Sequence, residues 1–257
     1  MALVEGSSSV VLKNVTQLIK QKVTADTAPL VEQFSDLLYS NISSVDLDGR
    51  NDSDMYGATL SLWNALNNHQ DDSPVIKVFN PQVSKHGWKS SHTIIEVIIS
   101  DMPFLVDSLR MALNRLGLSP HLLLNTPINL VRNAAQQVTR LSSALDSSFT
   151  PTSIETVFFI EIDRQTEQSV LDNVANELRS VLDEIALVVN DWQPMKEQLE
   201  GIITELNQEN LPCENEEKNN ATAFLQWVLA NNFTIMGYRP YDIKALKGDI
   251  AMSANVK

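Results

Sequence analysis

Apolar residues recur at helical spacing from Val11 through Val15, Leu18, Ile19 and Val23, the 3.6-residue period of an amphipathic helix. Asp26, Thr27 and Pro29 break that run, and Leu30, Phe34, Leu37 and Leu38 form the next stripe, so a second helix starts there. The stretch 46–54 is polar and acidic. Ser53 or Asp54 is placed to cap a third helix that turns Met55, Thr59, Leu60, Trp63 and Leu66 inward. Residues 1–72 thus predict an N-terminal helical segment.

The period then changes from 3.6 to 2. After the turn Asp71-Asp72-Ser73-Pro74, Val75–Phe79 reads as a strand stopped by Asn80-Pro81. A loop from Gln82 to Ser91 leads to Thr93–Ile99, whose β-branched run predicts a central strand buried on both faces. Ser100-Asp101 is read as the N-cap of a helix with Pro103 in its first turn, and Gly117 is placed to end it in the left-handed conformation. A strand over 121–131 contains Pro127, which belongs at an edge or bulge. A return strand follows at Val138–Leu141, and another apolar strand at Ile154–Asp163. From Ser169 a long helix buries Leu171, Val174, Leu178, Val181, Leu182, Ile185 and Val189, with a kink or restart expected near Trp192 and Pro194. Residues 205–220 read as a polar connector, 221–229 as a helix and 233–243 as a last strand. With no closing element after Ser253, the chain is expected to end at a domain boundary of something larger.

Composition sharpens this picture. The 257 residues carry 19 basic against 32 acidic side chains, a formal charge of −13, with no basic face. Phosphate neutralisation needs such a face, so nucleic acid is not an expected partner. The single cysteine, Cys213, sits among polar and acidic residues. It allows no internal disulfide, and its acidic neighbours disfavour a reactive thiolate. Neither an export signal nor an apolar run of membrane-spanning length is present, so a soluble, cytoplasmic location is expected.

Chemistry-bearing motifs are missing. The eight glycines form neither GxGxxG nor GxxxxGK[ST], and no GxSxG elbow occurs. His69, His86, His92 and His121 have no metal-ligand spacing. His86 and His92 flank the Gly87–Ser91 loop and could approach each other, though loop hydrogen bonding suits them better than ligation. Glu96 stands inside an apolar strand, where a rim position or pairing with an arginine such as Arg110 would account for it. Trp63, Trp88, Trp192 and Trp227 lack basic company and read as packing residues. We therefore assign no catalytic, cofactor-binding or metal-binding residue.

Two resemblances add to this. The run Ile94-Ile95-Glu96-Val97-Ile98-Ile99-Ser100-Asp101-Met102-Pro103-Phe104-Leu105, ending at Leu116-Gly117-Leu118, resembles the opening of an ACT domain. There a strand, an Asp-x-Pro-Gly-Leu turn and a helix precede the second strand. The resemblance implies effector binding at Asp101, Met102, Pro103, Phe104 and Leu105, where a helix N-terminus faces a carboxylate. Phe104 replaces the usual glycine, and its side chain could fill the ligand's space. A wider match runs from about Asp54 to Asp242. Tyr56–Trp63, Lys77–Pro81, His86–Thr93, Asp101–Ser108, Asp191–Met195 and Phe233–Asp242 are similar to the N-terminal region of the large bacterial NAD-specific glutamate dehydrogenases.

That resemblance implies a parent enzyme that oxidises L-glutamate to 2-oxoglutarate and ammonia with NAD as its cofactor, its catalytic domains lying beyond Lys257. The expected fold class is α+β. A helical segment (1–72) precedes an ACT-like, ferredoxin-like βαββαβ antiparallel sheet with helices on one face (73–206), then a connector, helix and strand (207–257). The expected role is non-catalytic regulation and oligomerisation, with the rest of the polypeptide, a homo-oligomer and an amino-acid or organic-acid effector as partners. A purely structural scaffold with a plugged pocket, or a free-standing amino-acid-binding module, remains the alternative.

Overall fold

The computed structural model describes residues 2–69, 73–208, 214–246 and 249–254, in two units, 1–183 and 184–257. The first unit opens with α1 (Ala2–Lys22), α2 (Ala28–Leu38), the single-turn α3 (Ser44–Leu47) and α4 (Asp52–Asn67). Asn51 starts α4, its side-chain oxygen accepting from the N–H groups of Ser53 and Asp54 at 2.9 and 3.2 Å. The cap therefore lies just upstream of the Ser53 or Asp54 expected for it, and satisfies two orphan amides of the first turn.

Strand β1 (Val75–Phe79), the short helix α5 (Val83–His86), β2 (Thr93–Ser100), α6 (Leu105–Arg115), β3 (Pro120–Arg132), β4 (Val138–Ser143), β5 (Ser153–Ile162) and α7 (Gln168–Gln208) follow. The strands form one sheet of order β1-β2-β5-β3-β4, antiparallel throughout. This is the expected α+β, ACT-like sheet. Within it β2, α6, β3, β5 and α7 follow the βαββα course, and β4 is an extra edge strand between β3 and β5. The flank of β2 where a closing strand would lie is occupied by β1, which comes from upstream.

Register decides which side chains face which layer. Glu96 lies opposite Phe159 and Ile94 opposite Glu161 on the β2–β5 ladder, while Leu124 faces Phe159 and Leu122 faces Glu161 across β3–β5. Ile94, Ile98, Leu122, Leu124, Ile128, Leu130, Val157 and Phe159 pack in one core with Val15, Phe34, Leu62, Trp63 and Leu66 of the N-terminal helices. Residues of opposite parity, Ile95, Val97, Phe158, Ile160 and Ile162, are also buried, as are Leu105, Leu109 and Leu113 of α6 and Leu171, Val174 and Leu178 of α7. The two ACT-type helices cover one face, and the N-terminal helices cover the other.

Pro127 lies opposite Thr156 on β5, and its carbonyl accepts from Ala144 N–H at 3.3 Å. Its missing N–H points the same way, past the end of the β3–β4 ladder that begins at Ile128. The proline therefore has the edge-like position expected of it.

Other expectations are corrected. The 82–91 loop holds one helical turn, α5, ended by Gly87 at φ 77°. Of the kink or restart expected near Pro194, the restart does not occur: α7 runs through it as one helix. In the second unit, α8 (Asn215–Trp227) occupies part of the expected connector, and a wide turn, Val228–Asn232, follows it. The last segment is a hairpin, β6 (Tyr241–Leu246) with β7 (Asp249–Ala254), so the strand expected over 233–243 begins only at Tyr241. The turn 71–72 and Cys213 lie outside the described residues.

Candidate functional site

Two concave regions of the first unit hold the residues of interest. The turn between β2 and α6 differs locally from the sequence reading. Helix α6 starts at Leu105, and Phe104 stands before it in the left-handed region at φ 73°. Asp101 is therefore not a cap: its amide donates to Ile154 O at 2.8 Å, and its carboxylate accepts from the Thr156 hydroxyl. No side chain caps α6, which leaves its first amides directed at the turn. The Phe104 backbone has the conformation that glycine adopts most easily, while the residue is 43% exposed. Asp101, Met102, Phe104 and Leu105, with Asn125, Pro127 and Thr156, line an open pocket of about 270 Å³.

The larger cavity, about 440 Å³, opens between the α3–α4 loop, the loop after α5 and the sheet. Its floor is an ion pair 111 residues apart in sequence, Arg50 donating to both carboxylate oxygens of Glu161 at 2.8 and 2.7 Å. Glu161 is buried, and Arg50 is 27% exposed. The Arg50 Nε–H also bonds the Asp46 carbonyl. Tyr39 lines the same cavity with its hydroxyl 3.0 Å from Thr59 Oγ1, and burial raises its phenol to about 12. His92 Nδ1 lies 3.8 Å from Glu161, and its ring packs on His121 with centroids 4.8 Å apart.

Trp88 holds the loop that carries Lys89 and His92. It is buried, meets Phe79 edge-on at 6.1 Å, and lies against the backbone of Gly57. A Cβ at Gly57 would sit 2.4 Å from Trp88 Cβ. Gly57→Ala should therefore cost about 1–3 kcal/mol through overpacking, offset by up to about 1 kcal/mol of helix propensity. Urea denaturation should show the net loss, and a red-shifted tryptophan emission should show Trp88 leaving its seat.

The remaining flagged residues are structural. Asn80 accepts from the Thr93 hydroxyl and donates to Gln165 O, both at 2.7 Å, which ties β1, β2 and the lead into α7. His86 packs on Phe79 and accepts from Gln82 N–H through Nδ1, whereas the His92 ring lies tilted against that of His121, so the two loop histidines are not a pair. Glu96 does not pair with Arg110, which belongs to α6 on the opposite side of the sheet. It faces the N-terminal helices, fully buried, with Lys77 Nζ at 3.5 Å; neither oxygen makes a hydrogen bond of good geometry, although Ser61 and Lys77 lie near enough to act on it. Burial pushes its pKa up, and Ser61 and Lys77 reverse only part of that.

His69 belongs to a buried cluster. Its Nδ1 meets Glu155 and its Nε2 the Ser73 carbonyl, both at 2.9 Å. A carbonyl only accepts, so Nε2 carries a proton, and the Glu155 hydrogen bond at Nδ1 favours the charged ring, raising its pKa against the opposing effect of burial. Arg132 clasps the same carboxylate at 2.9–3.0 Å and also donates to Leu66 O at the end of α4. Burial pushes Glu155 up, but His69 and Arg132 outweigh it and hold its pKa below the ordinary carboxylate value. Among the described residues, no group of three or more His, Cys, Asp and Glu could hold a metal ion. No helix among them is long and apolar enough to cross a membrane.

Residues 34–178, which hold both concave regions, match the family model described as glutamate dehydrogenase, ACT1 domain. The chain belongs to that family. Similar proteins include an NAD-specific glutamate dehydrogenase of Halomonas elongata, 34% identical over 241 residues and covering 92% of this chain. One of Pseudomonas aeruginosa is 36% identical over 215 residues, 84% of this chain. The chain spans only 15% and 13% of these two relatives. The ACT1 match begins within α2 and includes α3, α4 and the sheet, so the segments that line the larger cavity lie inside the matched residues.

Arg50, Lys89 and Glu161 were not singled out from sequence. The available signal was a carboxylate inside an apolar strand, the feature that drew attention to Glu96 and that Glu161 shares in Val157-Phe158-Phe159-Ile160-Glu161-Ile162.

Proposed function

We propose that this chain is the non-catalytic N-terminal regulatory and oligomerisation region of an NAD-dependent glutamate dehydrogenase, which converts L-glutamate, NAD and water to 2-oxoglutarate, ammonia and NADH. The observation that carries this reading is the ACT1 family match together with the small share of the dehydrogenase relatives that the chain spans. NAD binding and turnover then belong to the remainder of the polypeptide, in keeping with a sequence that has no dinucleotide fingerprint.

Regulation in this reading uses the turn before α6. The first amides of that helix and its positive dipole end suit a carboxylate, and the adjacent pocket of about 270 Å³ suits a small amino-acid or organic-acid effector. Phe104, 43% exposed, stands on the rim of a pocket that stays open beside it, which favours an open pocket over the plugged scaffold.

Thermal-shift and calorimetric screening of the chain against amino acids and organic acids, with light scattering, tests this. At least one ligand should raise the melting temperature, and Asp101→Ala or Leu105→Trp should abolish the shift. A stable dimer with no response across the panel would instead support the scaffold. Glutamate-dependent NAD reduction by the 257-residue chain alone would place the chemistry here and end the proposal.

A further inference from the structure

We propose that the Arg50–Glu161 cavity is a second binding site, for a small zwitterion that carries one carboxylate and one ammonium group. It is separate from the 101–105 turn.

The charge inventory leads to this ligand class. A guanidinium has five N–H donors, and Arg50 spends three of them on Glu161 and the Asp46 carbonyl. Two remain without a partner among the described residues, on a side chain that is still 27% exposed. Lys89 and His92 line the same cavity. The Lys89 ammonium and the His92 Nε2 make no hydrogen bond or ion pair among the described residues. Arg50 on the α3–α4 loop and Lys89 on the facing loop thus have donors available to a carboxylate, with His92 beside them, and guanidinium geometry is well suited to that group.

A plain anion is nevertheless a poor occupant. The lining has four carboxylates, Asp46, Asp48, Asp54 and Glu161, against two permanent cations, Arg50 and Lys89. Glu161 is matched by Arg50, Asp46 accepts from Ser43, and Asp54 accepts from the Lys89 amide. Asp48, exposed at the end of α3, makes no such contact among the described residues. A ligand bringing its own ammonium to Asp48 while its carboxylate meets Arg50 adds no net charge to this acidic rim.

The walls are set before any ligand arrives. The ion pair fixes the α3–α4 loop to the sheet, and Trp88 seated on Gly57 fixes the opposite loop, so little ordering remains to be done on binding. A volume of about 440 Å³ lies within the usual range for small-molecule sites.

The test is calorimetry and amide-shift mapping on the 257-residue chain with L-alanine and L-glutamine as zwitterions, succinate as a dianion and 1,4-diaminobutane as a dication. A zwitterion should bind saturably and shift the amides of Gly49, Arg50, Lys89 and His92. Lys89→Ala and Asp48→Asn, both at exposed positions and clear of the core, should each weaken it about tenfold, and Asp101→Ala should leave it unchanged. Saturable binding by succinate or the diamine alone, or zwitterion binding that ignores Lys89→Ala and Asp48→Asn, would overturn the proposal. So would absence of saturable binding by both amino acids across the millimolar range. Loss of binding through Asp101→Ala alone would assign the ligand to the 101–105 turn and likewise overturn it.

Discussion

Glu155→Ala should destabilise the first unit by about 3–5 kcal/mol, because it leaves two buried cations without their shared counter-charge. Arg132 and His69 are 7% and 4% exposed at the side chain, and neither can turn to water without opening the contact between α4 and β3. Two proton linkages accompany the loss. Glu155 titrates below its ordinary value when folded, so its contribution is present above the unfolded carboxylate pKa and disappears as pH falls through the folded one. His69 titrates above its ordinary value, so its contribution is complete below the unfolded histidine pKa and disappears as pH rises through the folded one. The native chain should thus be most stable between these limits, and Glu155→Ala should flatten both flanks. Urea denaturation followed by the fluorescence of buried Trp63 and Trp88, repeated across pH, measures it. A variant within about 1 kcal/mol of the parent would mean that surface-like screening governs this cluster.

Glu96→Met should act in the opposite direction and raise stability by about 1–3 kcal/mol, the usual cost of a buried polar group without a well-made hydrogen bond. Methionine keeps the length and flexibility of the side chain and fits an apolar surrounding. The partner is not stranded, since Lys77 is 45% exposed and can point into solvent. The pH dependence gives a second signature. The Glu96 pKa is raised in the folded state, so its penalty is absent below the unfolded carboxylate pKa and develops as pH rises through the folded one. The gain from Glu96→Met should therefore be smaller in acid than at neutral pH. Equal gains at both, or a loss at neutral pH, would show that Glu96 is satisfied where it stands.

These two carboxylates show where sequence reading succeeds and where it stops. That Glu96 sits in a buried strand follows from the β-branched run around it. Which layer it faces does not, because a strand buried on both sides has no polar face to set its parity. Pairing with Arg110 was a reasonable expectation that the register reversed. Glu155, Arg132 and His69 come together across 86 and 23 residues, and Arg50 reaches Glu161 across 111, separations over which a local pattern carries no information. Helix periodicity over 11–67, the ending of α6 by Gly117 at φ 73° and the strand at 75–79 needed only neighbouring residues, and all are present. The start of α6 was misplaced for a physical reason: Thr156, on the neighbouring strand, occupies the carboxylate that Asp101 would otherwise have offered to the helix. The effector turn was legible as a motif, whereas the larger cavity, assembled from three distant segments, was visible only as blocks of matching sequence without a stated purpose.

The position of β1 has a consequence for how the chain is made. Since the flank of β2 is taken by a strand already synthesised, every strand of the five-membered sheet has left the ribosome once Ile162 has emerged. Nothing translated later is needed to complete its ladders. Domains commonly acquire structure in the order of their synthesis, and here the strand ladders can close before α7 is translated, which pairs the edges of the inner strands early in elongation.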